Sequence, residues 1–323
     1  MKIAILGPSE IRTPPKGYGG AELINWYLIR RLVLLGHEVW IMVKPDSIVP
    51  CSQMHRAYSA NGVGEWESSG WIPELFDVLH DKWGNHPVAT MFSGLPFVTT
   101  EHGTSVPTGP QPCAISYAQA VKWEKPDIPV LYNGIDSDFY RYCENKDGFV
   151  LYLGSVQKIK GVADWVKAVS LSGLPGVVAG NRHEQHCAGY WENECAPILP
   201  KNVHVINHAV GGEEKINLFA KASVFLFLPR VIEAFGTVVI EALVSGTPVV
   251  TWDYGPMKEI VEHGVSGFVV PYGDHKAAAQ ALLDAKYLNP FACWVQGTKF
   301  SDTAMALNHL KVYKRVKGGE RWQ

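Results

Sequence analysis

The sequence predicts an α/β protein made of two doubly wound domains with parallel sheets. Short runs rich in Val, Ile and Leu alternate with amphipathic helical patterns, which is typical of βαβ units. This alternation is regular in two separate stretches, one at the start of the chain and one from Gly148 onward. The chain of 323 residues is 47% apolar and 19% charged, which is enough to bury a core in each of two domains.

The first regular stretch predicts one complete βαβ unit. A strand at 3–6 leads into a loop rich in glycine, and a helix over 21–36 precedes a strand at 38–43. Gly36 stands where a helix C-terminus favours a residue that tolerates left-handed dihedrals. The stretch that follows contains many Pro, Gly, Ser and Trp residues, and strands are predicted there at 76–80, 96–102 and 129–134.

The second regular stretch predicts a longer series of strands and helices. The apolar runs indicate strands at 148–156, 175–180, 202–206, 223–229 and 248–252. The helical patterns between them lie at 161–173, 183–195, 212–221 and 237–246. The two series are expected to join near residues 140–148.

Charge, hydropathy and cysteine usage narrow the class of protein. Lys plus Arg minus Asp plus Glu is 29 − 31 = −2 without a long basic run, which disfavours nucleic acid as the main partner. No segment approaches 18 uninterrupted apolar residues, and the N-terminal run is too short for a signal peptide. The six scattered cysteines lack CxxC spacing, so reduced thiols in a cytoplasmic protein are expected.

The stretch 230–250 places two carboxylates, Glu233 and Glu241, beside a buried strand and a helix start. Open α/β sheets bind ligands at the carboxyl ends of their strands. The free amides at 236–238 and the helix dipole favour a phosphate or diphosphate there. A glutamate on each side of that anion can accept hydrogen bonds from sugar hydroxyls, a pattern that indicates a nucleotide sugar. The alternative is that both glutamates are solvated charges at a helix start.

Further motifs occur in order along nearly the whole chain. The E-x7-E pair encloses "FG" and is followed by "EALVSGTPVV" and "EIVEHGVSGFVVPYGD". Upstream stand "PPKGYGGAE", "FDVLHDKWG", "TTEHGT", "VLYNGID" and "YLGSVQKIKG". Together these motifs resemble glycosyltransferase family 4, retaining enzymes of the glycosyl transferases group 1 with the GT-B architecture.

The resemblance implies a domain organisation. Two Rossmann-like domains would face each other across a cleft, with an acceptor-side domain at 1–142 and a nucleotide-sugar-binding domain at 143–299. The C-terminal helix, 300–318, would cross back and pack on the first domain. Its predicted apolar face consists of Ala304, Leu307, Leu310 and Tyr313.

The resemblance also implies roles for individual residues. Glu233 would contact the donor sugar, and Glu241 would hold the ribose hydroxyls. His102 would lie beside the reacting carbon, although a lone histidine is more often structural. Lys160 would neutralise the donor phosphates as the leaving group departs. The diphosphate would be held by backbone groups of Phe235, Gly236 and Thr237, and approached closely from the other domain by Gly19 and Gly20.

Two features depart from common patterns. Family members usually carry an arginine after the glycine of "YLGSV", where this chain has Ser155, so one phosphate cation is missing unless Lys158 or Arg182 replaces it. The "GYGG" segment does not spell G-x-G-x-x-G, because Glu22 stands at the third glycine position, so a dinucleotide site is poorly supported. A merely flexible turn is the alternative there.

The implied activity is transfer of a sugar, with retention, from a UDP- or GDP-sugar to a hydroxyl of a glycan, a lipid-linked or another acceptor. The chain has no Asp-x-Asp motif near either binding loop, so we expect a metal-independent enzyme without a cofactor. Two alternatives are a nucleotide-sugar epimerase and a non-catalytic nucleotide-sugar-binding protein. An epimerase would alter the donor alone, and the binding protein would show no turnover.

Three further features of the sequence are weaker indications of function. A zinc site is conceivable from His183, His186, Cys187 and Cys195, but the spacing matches no common one. The aromatic residues of 66–83 are candidates for an acceptor cleft, although aromatic residues more often form core. The Arg30/Arg31 pair allows at most a peripheral contact with an anionic membrane.

Overall fold

The computed structural model describes residues 1–7, 11–17, 19–56, 70–82, 92, 94–182 and 189–322. The chain divides into two compact units. The first comprises Met1–Asp136 and Phe300–Gln323, and the second comprises Ser137–Lys299. The C-terminal segment therefore belongs to the first unit.

The first unit contains a parallel sheet of six strands in the order β3-β2-β1-β4-β5-β6. Near-continuous apolar runs form its central strands because both faces of a parallel sheet are covered. The register pairs Ile5 with Ile41 on one side and with His80 on the other. The strands are β1 (Lys2–Leu6), β2 (Glu38–Val43), β3 (Gln53–Arg56), β4 (Val78–Asp81), β5 (Phe97–Thr100) and β6 (Pro112–Cys113). The helices are α1 (Gly20–Leu34), α2 (Tyr117–Lys122) and α9 (Asp302–Lys317). A 3-10 turn lies at Pro73–Leu75, and another, at Ser137–Phe139, begins the second unit.

The second unit repeats this plan with a parallel sheet in the order β12-β11-β10-β7-β8-β9. Its core packs apolar strand residues against Trp165 and Leu282 of the covering helices. The strands are β7 (Val150–Leu153), β8 (Gly176–Ala179), β9 (Val203–Ile206), β10 (Val224–Phe227), β11 (Val249–Trp252) and β12 (Gly267–Val270). The helices are α3 (Val162–Ser172), α4 (Gly212–Lys221), α5 (Thr237–Val244), α6 (Met257–Ile260), α7 (His275–Ala285) and α8 (Pro290–Thr298), with short turns at Lys158–Lys160, Trp191–Cys195 and Ala196–Ile198.

Both sheets therefore reverse their strand order at one point, between β1 and β4 in the first unit and between β7 and β10 in the second. In open α/β sheets, ligands bind outside the carboxyl ends of the strands at this switch point. The loops that follow these four strands are thus where the fold places functional groups. The predicted fold class, two α/β units with doubly wound parallel sheets, is confirmed.

One local prediction was wrong, and two others hold in part. The predicted strand at 129–134 is extended backbone that forms one bridge, between Ala114 and Val130. The predicted helix at 183–195 is helical at its described end, as a π-helix at Trp191–Cys195, and 183–188 lie outside the described residues. On α9, Leu310 and Tyr313 are buried as predicted, whereas Leu307 is 46% exposed and His309 is buried. The face of α9 that packs inward is therefore rotated from the predicted one and carries polar groups.

Candidate functional site

In the second unit, the loops after β7 and β10 are joined by an ion pair. Lys160 Nζ lies 2.7 Å from Glu233 Oε1, and both side chains are largely buried. The amide of Arg230 donates to the carbonyl of Ile159 at 2.9 Å. A Cβ added at Gly161 would stand 1.8 Å from the Leu228 carbonyl oxygen, so only glycine allows the loops to approach this closely. Two residues with separately predicted roles thus form one charged pair.

Glu241 lies deeper, one turn into α5, with only 5% of its side chain exposed. Its Oε1 accepts hydrogen bonds from Lys215 Nζ at 2.7 Å and from the Tyr140 hydroxyl at 2.7 Å. These partners fix the carboxylate and offset its charge. Neither Tyr140 nor Lys215 was predicted as a site residue, because they are 101 and 26 residues away from Glu241 along the chain.

The start of α5 has the geometry expected of an anion-binding helix terminus. Gly236 has a φ of 98°, in the left-handed region, and precedes Thr237, the first helical residue. Phe235 is buried at 2% exposure and anchors the turn, whereas Gly236 and Thr237 remain partly exposed. Helix α5 lacks a side-chain N-cap, so its first amides are available to a ligand.

A second charged cluster involves Arg230, which lies in the loop that carries Glu233. Arg230 donates two hydrogen bonds to Asp164 of α3, from Nε to Oδ2 at 2.5 Å and from Nη2 to Oδ1 at 2.9 Å. His275 Nε2 lies 2.8 Å from Asp164 Oδ1. Burial by itself would raise the pKa of Asp164, but the hydrogen bonds from Arg230 and His275 hold it below its ordinary value. The carboxylate is therefore charged and fixes the loop that carries Glu233.

The two residues considered as replacements for the missing arginine have other partners. Lys158 is exposed and pairs with Glu194 at 2.8 Å. Arg182 follows β8, and its guanidinium carbon lies 4.0 Å from the centre of the Trp191 ring. Its Nε is buried and has no hydrogen-bond partner among the residues that the structure describes. The carbonyl of Ser155 accepts from the Tyr152 hydroxyl at 2.8 Å, which ties this loop to β7.

In the first unit, Gly19 and Gly20 form the beginning of α1, in the loop after β1. Gly19 has a φ of 151°, and a Cβ there would stand 2.7 Å from Pro15 Cβ. Gly20 is exposed, and a Cβ added to it would meet no atom within 4 Å. The turn therefore requires glycine at 19, while position 20 leaves the helix start open. Their predicted role beside a phosphate stays a prediction.

His102 follows β5 in a segment fixed by α2. The side-chain amide of Gln119 donates to the carbonyls of Glu101 and Gly103, at 3.0 and 2.7 Å. His102 Nε2 is buried and lacks a hydrogen-bond partner within the described part of the chain. Burial, followed by the positive charge of Lys82, holds the pKa of His102 well below its ordinary value. The structure thus places a neutral imidazole at the predicted edge of the sheet, and its role stays a prediction.

The strand end next to His102 carries a polar cluster whose residues lie partly in the motif "FDVLHDKWG", to which the sequence analysis assigned no residue roles. Lys82 directly follows β4 and is 2% exposed. His80 is fully paired, with Nδ1 2.6 Å from the Tyr313 hydroxyl and Nε2 3.1 Å from Thr100 Oγ1. His309 of α9 places Nδ1 2.8 Å from the Met305 carbonyl. The available signal was "HDK" directly after an apolar strand.

Three weaker predictions have different outcomes. Arg30 bonds Asp136, and Arg31 Nε lies 2.9 Å from Asp302 Oδ2, so both arginines form internal ion pairs of the first unit, and Arg31 holds α1 to the C-terminal helix. The histidines and Cys187 of the candidate zinc site lie outside the described residues, as do Trp66 and Trp83. Within the described ranges, no helix is long and apolar enough to cross a membrane.

The two sheets, each with a switch point lined by charged and glycine-rich loops, define a GT-B type protein with two Rossmann-like units. The model of the family described as Glycosyl transferases group 1 matches residues 141–289, which lie within the second unit. The prediction of a glycosyltransferase is therefore confirmed at the level of protein class.

Known proteins share this arrangement. The glycosyltransferase AviGT4, involved in avilamycin A biosynthesis, has 26% identity and a TM-score of 0.81, covering 100% of this chain and 99% of its own. The Anabaena protein HepE, crystallised with UDP and glucose, has 17% identity and a TM-score of 0.72, covering 97% of this chain and 99% of its own. An uncharacterized glycosyltransferase of Methanocaldococcus jannaschii is 28% identical over 164 residues, which is 44% of this chain and 40% of that protein. The chain spans less than half the length of the curated relatives it matches.

Proposed function

We propose that the protein is a retaining glycosyltransferase of family 4 type that moves a sugar from a nucleotide-diphosphate sugar to an acceptor hydroxyl. The observation that carries this proposal is the pair of fixed carboxylates around the start of α5. Glu233 lies on one side of the free helix amides and Glu241 on the other. The Anabaena relative HepE is described with UDP and with UDP-glucose, which supports a UDP-sugar as donor.

In this proposal, Glu241 accepts hydrogen bonds from the ribose hydroxyls. Lys215 and Tyr140 already hold its Oε1, so the carboxylate needs no reorganisation when the nucleotide arrives. Glu233 contacts the donor sugar, and the amides at the start of α5 bind the diphosphate. The bidentate contact between Arg230 and Asp164 holds the Glu233 loop in place.

Lys160 stabilises the charge that develops on the diphosphate as the glycosidic bond breaks. In the unliganded geometry its ammonium is neutralised by Glu233. A bound diphosphate competes for this cation, so the electrostatic gain is largest when the leaving group carries its full charge. Fixed amides and Lys160 would then supply the charge stabilisation that a metal supplies in other transferases.

The acceptor hydroxyl attacks on the face that the leaving group departs from. The donor phosphate oxygen takes the acceptor proton, and His102 lies beside the reacting carbon. The acceptor is a glycan, a lipid-linked sugar or another hydroxyl compound. The family match and the named relatives do not favour an epimerase or a non-catalytic binding protein.

A thermal-shift screen tests the donor site. The protein is heated with UDP, GDP, ADP or TDP, with the matching sugar conjugates, and without ligand, because a ligand of the folded state raises the melting temperature by mass action. One nucleotide should raise it in the wild type and not in Glu241→Ala, while Glu262→Ala, which removes an exposed carboxylate shortly after α6, should respond like the wild type. A shift that is equal in both variants, or absent with every nucleotide, contradicts the proposed function.

A further inference from the structure

The switch point of the first sheet contains a buried lysine. Lys82 directly follows β4, and its amide donates to the carbonyl of Leu6 in β1 at 2.9 Å. The side chain is 2% exposed, and its Nζ has no hydrogen-bond partner in the part of the chain that the structure describes. A buried ammonium without a partner destabilises a folded protein, so a ligand that pairs with it removes that destabilisation.

Two histidine nitrogens near this lysine also lack partners. The Nε2 atoms of His102 and His309 are buried without a hydrogen bond among the described residues. Because His309 Nδ1 donates to the Met305 carbonyl, its Nε2 is the acceptor nitrogen of a neutral ring. Burial, and next the charge of Lys82, lower the pKa of His309 to about 3.

The titratable groups that interact with Lys82 come from four parts of the first unit. Asp81 and the fully bonded His80 lie on β4, which directly precedes Lys82, and Cys113 lies on β6. His102 follows β5, and His309 lies on α9. Burial lowers the pKa of Lys82 to about 7, against smaller opposing effects of Cys113 and Asp81. The pocket is thus poised to gain a proton when an anion enters it.

We propose that Lys82, with His102 and His309, forms an oxyanion-binding pocket that holds the carboxylate or phosphate of an acidic sugar acceptor. The ammonium donates to the oxyanion, and the neutral imidazole nitrogens accept from neighbouring acceptor hydroxyls. This proposal rests on the proposed function, since it names the acceptor class of the same reaction. It gives a function to a lysine that has no hydrogen-bond partner among the described residues and lies where this type of sheet binds ligands.

Calorimetry on the full chain with saturating UDP tests the pocket. The probes are D-glucuronate, D-glucose 6-phosphate, D-glucose and inorganic phosphate, each at pH 6.5 and 8.5. Lys82→Met keeps the apolar length of the side chain and removes its charge. Lys122→Met removes an exposed lysine of α2 in the same unit and serves as the matched control.

The expected result is that the two acidic sugars bind more tightly than glucose or phosphate, and more tightly at pH 6.5 than at pH 8.5. Lys82→Met should weaken binding of the two acidic sugars at least about tenfold, because a charge-assisted hydrogen bond is lost. Lys122→Met should leave their binding unchanged. Titrations in buffers of different ionisation enthalpy should show proton uptake on binding in the wild type and none in Lys82→Met.

Four results would overturn the proposal. They are equal affinity for glucose and glucuronate, equal affinity for inorganic phosphate and glucose 6-phosphate, proton uptake that persists in Lys82→Met, and failure of both acidic sugars to bind. Equal affinity for phosphate would assign the pocket to a free anion. Binding of UDP in the same preparation separates failure of this pocket from failure of the proposed function, because UDP binding depends on the second unit.

Discussion

The two sheets share one strand order, yet the charges at their switch points are arranged in opposite ways. In the second unit, Lys160, Lys215 and Arg230 each lie against a carboxylate. In the first unit, Lys82 is buried with no hydrogen-bond partner among the described residues. At this edge of the second sheet, the paired edge, the cations already have carboxylate partners, and an anionic ligand must displace those partners. At the edge of the first sheet that carries Lys82, the unpaired edge, a ligand can supply the hydrogen-bonding anion that the described residues do not.

The largest expected effect concerns the paired edge. Lys160→Ala should lower the rate of nucleoside diphosphate release from the donor by about 100- to 1,000-fold, the range for loss of one charge-stabilising group. Lys158→Ala, in the same turn but paired with exposed Glu194, should stay within about twofold. Steady-state assays of both variants check this. Equal rates for the two variants would mean that the leaving group is stabilised elsewhere.

The next effect tests whether the paired charges matter for folding. Arg230→Ala leaves Asp164 buried with His275 alone, and should lower the free energy of unfolding by about 2–3 kcal/mol, less than for a fully buried pair because Arg230 is a third exposed. Arg141→Ala removes an exposed pair with Glu213 and should cost about 0.5 kcal/mol or less. Urea unfolding curves compare them. If both variants lose the same stability, the Asp164 cluster does not hold the loop.

The buried Lys82 should make the free energy of unfolding depend on pH. The pKa of Lys82 is about 7 in the folded chain and about 10.4 when unfolded, so the unfolded state binds more protons between these values. The free energy of unfolding therefore rises with pH in that window. Below pH 7, where Lys82 is charged in both states, the destabilisation by its buried charge has its full size. From pH 7 to pH 9 the free energy of unfolding of the wild type should rise by about 2 kcal/mol relative to Lys82→Met.

Urea unfolding of both proteins across this range provides the measurement. Lys146, whose pKa burial lowers to about 8, titrates in both proteins and cancels in the difference. A difference that does not change with pH would show that Lys82 keeps its ordinary pKa and that the first unit has no uncompensated charge.

The smallest effect concerns the support of Glu241. Tyr140→Phe removes one hydrogen bond to Oε1 and should weaken binding of the preferred nucleotide by about fivefold, since one such bond contributes about 1 kcal/mol. Tyr142→Phe removes a hydroxyl that bonds exposed Glu144 and should leave binding unchanged. Calorimetric titration distinguishes them. Unchanged or tighter binding by Tyr140→Phe would separate this contact from the nucleotide site.

Much of the fold followed from apolar periodicity alone. Strands such as β7 and β10 are runs of buried residues between turn signals, and the helix after Gly236 has its own start and stop residues. Short edge strands escaped prediction, because β6 has only two residues and starts with Pro112. The stretch 129–134 has strand composition, but its backbone pairs through a single bridge.

For the site, the sequence by itself determined which residue types follow which strands. It placed His102, Lys160 and Glu233 in loops that follow strands and Glu241 in the helix after β10, because parallel strands carry their functional loops at one edge. Only the tertiary structure decided which of these charges meet. Tyr140 reaches Glu241 across 101 residues, and α9 returns across more than 200 residues to bring His309 and Tyr313 against β4. Such contacts depend on the packing of distant elements, which local periodicity does not encode.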